Sequence, residues 1–254
     1  MESSVVPRNA VFLTSKLDLY DKDVFGIRVP KPFGNQNGIL NNLKRYIRNY
    51  DHFLFVSSGT ADTEVTDAYA RVTFESFAMT LPFAYYDVLD IRTQDRTAEL
   101  VANADFIFLC GGHLPTQNAF FKQIQLREQL KRTNAVICGG SAGSMNCADE
   151  VYCPPEIEGE SIDPHFQKVL RGLGLTNLNI LPHYDSFRFS FLDGKRYLED
   201  IIIPDSFSRD IYAINDGTYF LIADGKTQVF GECYLIQNGL IKKINEDGEI
   251  KELL

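Results

Sequence analysis

One stretch, Ala135-Val-Ile-Cys-Gly-Gly-Ser-Ala-Gly-Ser-Met145, constrains the fold more than any other. Ala135 to Cys138 is a short apolar run that fits a buried strand. Gly139-Gly-Ser-Ala-Gly143 then matches Gly-x-Ser-x-Gly, the signature of a sharp strand-to-helix turn that exposes a nucleophile. Such a turn strains the backbone, and its flanking glycines relieve crowding where Cβ atoms would clash. The pattern predicts a Ser141 hydroxyl at the C-terminal edge of a sheet. The N–H of Ala142 then points where an oxyanion would form. Taken alone, the pentapeptide also fits a Gly-rich turn carrying an ordinary serine.

The rest of the chain reads as alternating strands and helices. Met1 to Arg8 looks like a loose tail, and Ala10 to Thr14 like an edge or early strand. Asp18 to Gly38 reads as a loop, and Ile39 to Tyr50 has helical apolar spacing. His52 to Ser58 and Tyr85 to Ile91 read as strands, with a helix between them capped by Asp62 or Thr63. Gln94 to Asn103 reads as a short helix. Asp105 to Cys110 is a continuous apolar strand closed by Gly111-Gly112, and a long helix is expected from about Thr116 to Lys131. Near-continuous apolar strands alternating with helices predict a mostly parallel sheet covered on both faces. In such sheets function collects at the C-terminal strand ends, where both glycine turns fall.

Beyond the central stretch, Cys153 to Asp163 reads as an acidic, Pro-rich surface loop and Pro164 to Leu173 as a short helix. Leu178 to Asp185 reads as a strand delivering His183 at its end, and Leu192 to Ile203 as a charged helix. Ile211 to Ile222 reads as two strands joined by a turn at Asp216-Gly217. Gln228 to Leu254 reads as short antiparallel strands turning at Asn238-Gly239 and Asp247-Gly248. No repeat or linker interrupts residues 1–254, so one domain is expected.

A serine nucleophile needs a base within hydrogen-bond reach and a third group that orients the base. The chain has four histidines. His52 opens a strand, and His165 lies in an acidic, Pro-flanked segment. His183 ends an apolar strand and is the favoured base; His113, after Gly111-Gly112, is its competitor. Asp216 follows a strand and precedes a glycine, which suits the orienting acid but equally an Asp-Gly hairpin turn. Asp185 is the alternative acid. The order Ser141, His183, Asp216 differs from that of α/β-hydrolases, because no histidine follows His183.

Together, Gly111-Gly112 closing an apolar strand, Gly-Gly-Ser-Ala-Gly-Ser, Pro182-His183 and Asn215-Asp-Gly-Thr218 resemble the serine peptidase family of peptidase E (an aspartyl dipeptidase) and cyanophycinase. The resemblance spans roughly Phe106 to Leu221. It implies an α/β/α sandwich like the class I glutamine amidotransferase domain. It also implies Ser141 as nucleophile, His183 as general base, and an oxyanion hole from the Gly112 and Ala142 N–H groups. Asp216 falls where the family usually carries Glu. The segment after the double glycine, His113-Leu-Pro-Thr-Gln-Asn118, also departs from the family, where that segment lines the substrate site. His113, Gln117 and Asn118 are therefore candidate substrate-binding residues. Cleavage after an N-terminal aspartate would need a cation, for which Arg188, Lys195 and Arg196 are candidates.

The formal net charge of -9 argues against nucleic-acid and anionic-membrane partners, which need basic patches. Five cysteines without a Cys-x-x-Cys pair read as reduced thiols of a cytoplasmic protein. No signal peptide or membrane span is visible in the sequence. The expected activity is serine-type hydrolysis of a small peptide or amide, of dipeptidase or omega-peptidase type, without metal or cofactor. The expected partner is the small peptide substrate; a homodimer is a guess without a sequence signal. Two alternatives stand beside this: a catalytically inactive small-molecule-binding relative, and an esterase using His113.

Overall fold

The computed structural model describes residues 10–253; the tail read at Met1 to Arg8 and the final Leu254 lie outside the described residues. Strand β1 (Val11–Thr14) leads through a small hairpin, β2 (Tyr20–Lys22) and β3 (Arg28–Pro30), to helix α1 (Ile39–Tyr46). Strand β4 (His52–Val56), helix α2 (Thr63–Ala78), strand β5 (Tyr85–Leu89), helix α3 (Thr97–Asn103) and strand β6 (Phe106–Leu109) then alternate. Helices α4 (Leu114–Gln123) and α5 (Leu126–Leu130) precede strand β7 (Val136–Gly140) and the one-turn helix α6 (Ala142–Met145).

Next come β8 (Glu150–Tyr152), β9 (Val169–Arg171), β10 (Asn179–Leu181), helix α7 (Tyr184–Phe187), and the short strands β11 (Phe191–Leu192) and β12 (Lys195–Arg196). A π-helical turn over Tyr197–Ile202 runs into α8 (Ile203–Asp205). Strands β13 (Ile211–Ile214), β14 (Tyr219–Ala223), β15 (Lys226–Phe230), β16 (Cys233–Gln237), β17 (Leu240–Asn245) and β18 (Ile250–Leu253) complete the described chain.

The main sheet has eight strands in the order β18-β15-β14-β1-β7-β6-β4-β5. The five from β1 to β5 in that order run parallel, and the other three are antiparallel. Its inner strands β14, β1, β7, β6 and β4 are buried on both faces because both faces are covered. Along β4, Phe53 and Phe55 join one core with α1 and α2, while Leu54 and Val56 join the other with α3 to α6. β6 splits the same way, Phe106 and Phe108 against Ile107 and Leu109. The result is an α/β/α sandwich. A second sheet, β10-β13-β16-β17, lays Ile180 and Ile214 on the second core. Its other side, with Leu181 and Ile211, packs with Tyr152, Tyr184 and Tyr197 in a third cluster. No helix among the described residues is long and apolar enough to cross a membrane.

Several local expectations are corrected. β1 is not an edge strand; it pairs with β7 on one side and β14 on the other. The helix expected over 116–131 is two helices, broken where Gln125 turns left-handed at φ 51°. The segment 164–173 carries strand β9, which pairs with β8, rather than a helix. The charged helix expected over 192–203 begins instead as the β11–β12 pair. Strands β13 and β14 form no hairpin. β13 pairs with β10 and β16, whereas β14 pairs with β1 and β15, so the Asp216-Gly217 link carries the chain between the two sheets. The antiparallel C-terminal strands are as expected, with Asn238 and Gly239 both at positive φ in the β16–β17 turn.

Candidate active site

Ser141 sits between β7 and α6 at φ 50° and ψ -119°, a conformation that non-glycine residues rarely adopt. Two features hold it there. Its N–H donates to the carbonyls of Ser15 at 2.8 Å and Thr14 at 3.1 Å, at the end of the neighbouring β1. Behind it, the chain packs so tightly that a Cβ on Gly143 would meet the Cys110 carbonyl at 2.7 Å. As the first residue of α6, Ala142 leaves its N–H without an intrahelical acceptor. The Gly111-Gly112 turn passes alongside: a Cβ on Gly111 would stand 3.3 Å from the Ser141 Cβ. A Cβ on Gly112 would press against Ser58 at 2.5 Å, so only glycine fits the turn there.

His183 follows β10 and Pro182 and is also left-handed, at φ 61° and ψ 36°. That backbone aims its ring across the end of the main sheet. Nε2 lies 3.0 Å from Ser141 Oγ, and Nδ1 lies 2.7 Å from Asp216 Oδ1. Asp216 is half-exposed, on the link between the two sheets. Its partial burial works to raise its pKa. Hydrogen bonds from His183 and Ser15, with the charges of His183 and Lys16, outweigh that and hold the carboxyl below its ordinary range. An ionised Asp216 can only accept, so Nδ1 carries the proton. In the neutral ring Nε2 is then left to accept from the Ser141 hydroxyl.

Ser15, which the sequence did not single out, ties these groups together. It is buried, and its hydroxyl donates to Asp216 Oδ1 at 2.7 Å while accepting from the His183 N–H at 2.9 Å. The signal for it was faint: a polar residue ending an apolar strand beside the Gly-x-Ser-x-Gly strand.

The other candidates stand elsewhere. Both ring nitrogens of His113 are taken up elsewhere, by Thr116 Oγ1 and Glu160 Oε1, each at 2.8 Å. The arrangement for an esterase using His113 is therefore lacking. Gln117 and Asn118, expected to meet substrate, are buried beneath the site. Gln117 donates to the Cys110 carbonyl at 2.7 Å and accepts from Asn146, whose Oδ1 accepts in turn from Asn118 at 2.8 Å. Asp185 pairs with Arg188 at 3.2 Å instead of orienting His183. Arg188 also lies over the Phe189 ring, Lys195 donates to the Ser161 carbonyl at 2.6 Å, and Arg196 pairs with Asp200.

A cavity of about 330 Å³ opens onto Ser141 and His183. Gly112, Met145 and Pro182 also form its floor, and Phe187, Phe191, Leu192 and Tyr197 form an apolar wall. Pro154, Glu156, Leu181 and Ser190 complete the lining. Among the described residues no group of three or more His, Cys, Asp or Glu side chains is placed to hold a metal ion.

The model of peptidase family S51 matches residues 36–230, more than half of the chain. The chain belongs to peptidase family S51. Membership in S51 places it among serine peptidases related to peptidase E. No curated protein matches the chain by sequence. Solved structures share its fold, among them the following two. A peptidase from an acI-B1 Actinobacterium aligns with TM-score 0.62 and 16% identity, covering 96% of this chain and 97% of its own. A putative peptidase E protein from Listeria monocytogenes EGD-e aligns with TM-score 0.53 and 15% identity, covering 93% and 99%. At such identities the likeness is one of fold: an S51 sandwich with a mostly parallel sheet and antiparallel C-terminal strands.

Proposed function

We propose that this S51 member hydrolyses a peptide or amide bond of a small substrate through Ser141, His183 and Asp216. The supporting observation is the continuous chain from Asp216 Oδ1 through both ring nitrogens of His183 to Ser141 Oγ, at 2.7 and 3.0 Å. The aspartate in place of the usual glutamate is compatible with this role, since the shorter side chain still reaches Nδ1.

Ser141 Oγ attacks the scissile carbonyl while His183 Nε2 takes its proton. Asp216 fixes the tautomer and stabilises the imidazolium. The carbonyl oxygen, now an anion, accepts from the Gly112 and Ala142 N–H groups; such donors are worth about 3 kcal/mol each. Collapse expels the amine with the proton from His183, and water then releases the acyl group by the reverse use of the same base. A cavity of about 330 Å³ suits a dipeptide-sized substrate. The named peptidases of like fold agree with peptide-bond chemistry. All five cysteines are free and buried, which suits a reducing compartment such as the cytoplasm.

The test is Ser141→Ala, assayed on a panel of dipeptides with melting followed in parallel. The expected outcome is a fall of about 10³-fold or more in kcat with the fold intact. Undiminished hydrolysis by a folded Ser141→Ala protein overturns the proposal.

A further inference from the structure

The cavity over Ser141 carries an uneven set of charges. No lysine or arginine occurs among the described residues that line it, and Glu156 is its one carboxylate. The three candidates for the cation that an aspartyl substrate would need are engaged elsewhere: Arg188 with Asp185, Arg196 with Asp200, and Lys195 with the Ser161 carbonyl. An anionic side chain entering this cavity would meet a carboxylate and no counter-charge.

The backbone of Glu156 is held in position, while its carboxylate is exposed to solvent and weakly engaged by protein. Its own N–H donates to Glu160 Oε2 at 2.7 Å, and the Ile157 N–H reaches the same oxygen at 3.1 Å. The other Glu160 oxygen pairs with His113. Thus Glu160, bonded to His113, fastens the loop against the Gly111-Gly112 turn. The Glu156 carboxylate accepts one long bond, from the Leu114 N–H at 3.4 Å to Oε2, and no described residue bonds to its Oε1. Loop residues Gly159 and Ser161 are further fixed by Asp193, between β11 and β12. The fixed loop backbone therefore presents the Glu156 carboxylate at the cavity wall. A carboxylate so placed gains from an incoming cation.

We infer that Glu156, with the aromatic wall of Phe187, Phe191 and Tyr197, receives a positively charged nitrogen of the substrate. This deepens the reading of the site as a peptide hydrolase and names the substrate class: peptides bearing a cationic group near the scissile bond, with aspartyl peptides disfavoured. The carboxylate supplies charge-assisted hydrogen bonds, and the rings supply faces on which an ammonium or guanidinium is stabilised. Two sources carry that chemistry, the N-terminal ammonium and a basic side chain.

Calorimetry on the Ser141→Ala protein separates binding from turnover. The probes are Ala-Phe amide (ammonium only), acetyl-Lys-Phe amide (side-chain cation only), acetyl-Ala-Phe amide (neutral) and Asp-Phe amide. At least one cationic probe should bind about tenfold or more tightly than the neutral one, as hydrogen bonds between charged groups allow. That margin should collapse in Ser141→Ala/Glu156→Gln, whose melting temperature confirms that it folds. Which of the first two probes shows the margin identifies the source. No margin, a margin that survives Glu156→Gln, or tightest binding of Asp-Phe amide overturns the inference. Turnover of the same peptides by the unaltered protein keeps the two readings apart. Glu156-dependent binding without any turnover defeats the hydrolase reading alone. Ser141-dependent turnover indifferent to Glu156 defeats this inference alone.

Discussion

Ser15 shows how much of the site rests on a residue outside the proposed triad. Its hydroxyl serves Asp216 and the His183 backbone at once, and its carbonyl receives the Ser141 N–H. Ser15→Ala removes the hydroxyl and keeps the carbonyl, so the expected outcome is a kcat about tenfold lower with KM nearly unchanged, read by steady-state kinetics. The depressed pKa of Asp216 sets a pH dependence of definite sign. Because the folded value lies below the ordinary one of 3.8, its stabilising effect is complete above about pH 4 and is lost as pH falls through the folded value. The stability gap between the unaltered protein and Asp216→Asn should therefore narrow on acidification below about pH 4, as followed by urea unfolding. Ser141, His183 and Asp216 were legible because each stands at a strand end beside glycine or proline. Ser15 was not, since only the pairing of Thr14 with Gly140 brings it to them. Gln117 and Asn118 were expected at the substrate because the family's matching segment lines that site; here their polar groups satisfy buried Asn146 and the Cys110 carbonyl.

At the scale of elements, the β7–α6 turn is the tightest joint near the site. A methyl group at Gly143 would run into the Leu109 and Cys110 carbonyls, at the end of β6. Backbone carbonyls cannot swing aside as a flexible side chain can. Gly143→Ala should cost about 1–3 kcal/mol, visible as a lower melting temperature, and should reduce hydrolysis by moving Ser141. This turn was readable from five residues. The break between α4 and α5 was not, because it depends on Gln125, a residue with no special preference for the left-handed conformation it adopts. The β13–β14 connection was misread for a related reason. Asp-Gly between two apolar runs is a strong hairpin signal, and nothing local says that each run pairs in a different sheet.

Across the whole molecule, the site forms where the two sheets meet. Ser15 and Ser141 come from neighbouring parallel strands of the main sheet, and His183 follows the first strand of the second sheet. Asp216 lies on the link that joins the two. Apolar continuity in β4, β6 and β7 was enough to predict a covered parallel sheet. The second sheet was hidden because its strands are scattered between residues 179 and 245, and nothing local says which of them pair. The architecture thus makes the Ser141 hydroxyl depend on a ring delivered from the other sheet. The most direct test is covalent labelling with a fluorophosphonate, located by peptide mass spectrometry, on the unaltered protein and on His183→Ala. The account predicts one adduct, on Ser141, in the unaltered protein, and labelling slowed by about 10³-fold or more in His183→Ala. An unlabelled Ser141, or a rate indifferent to His183, would contradict it.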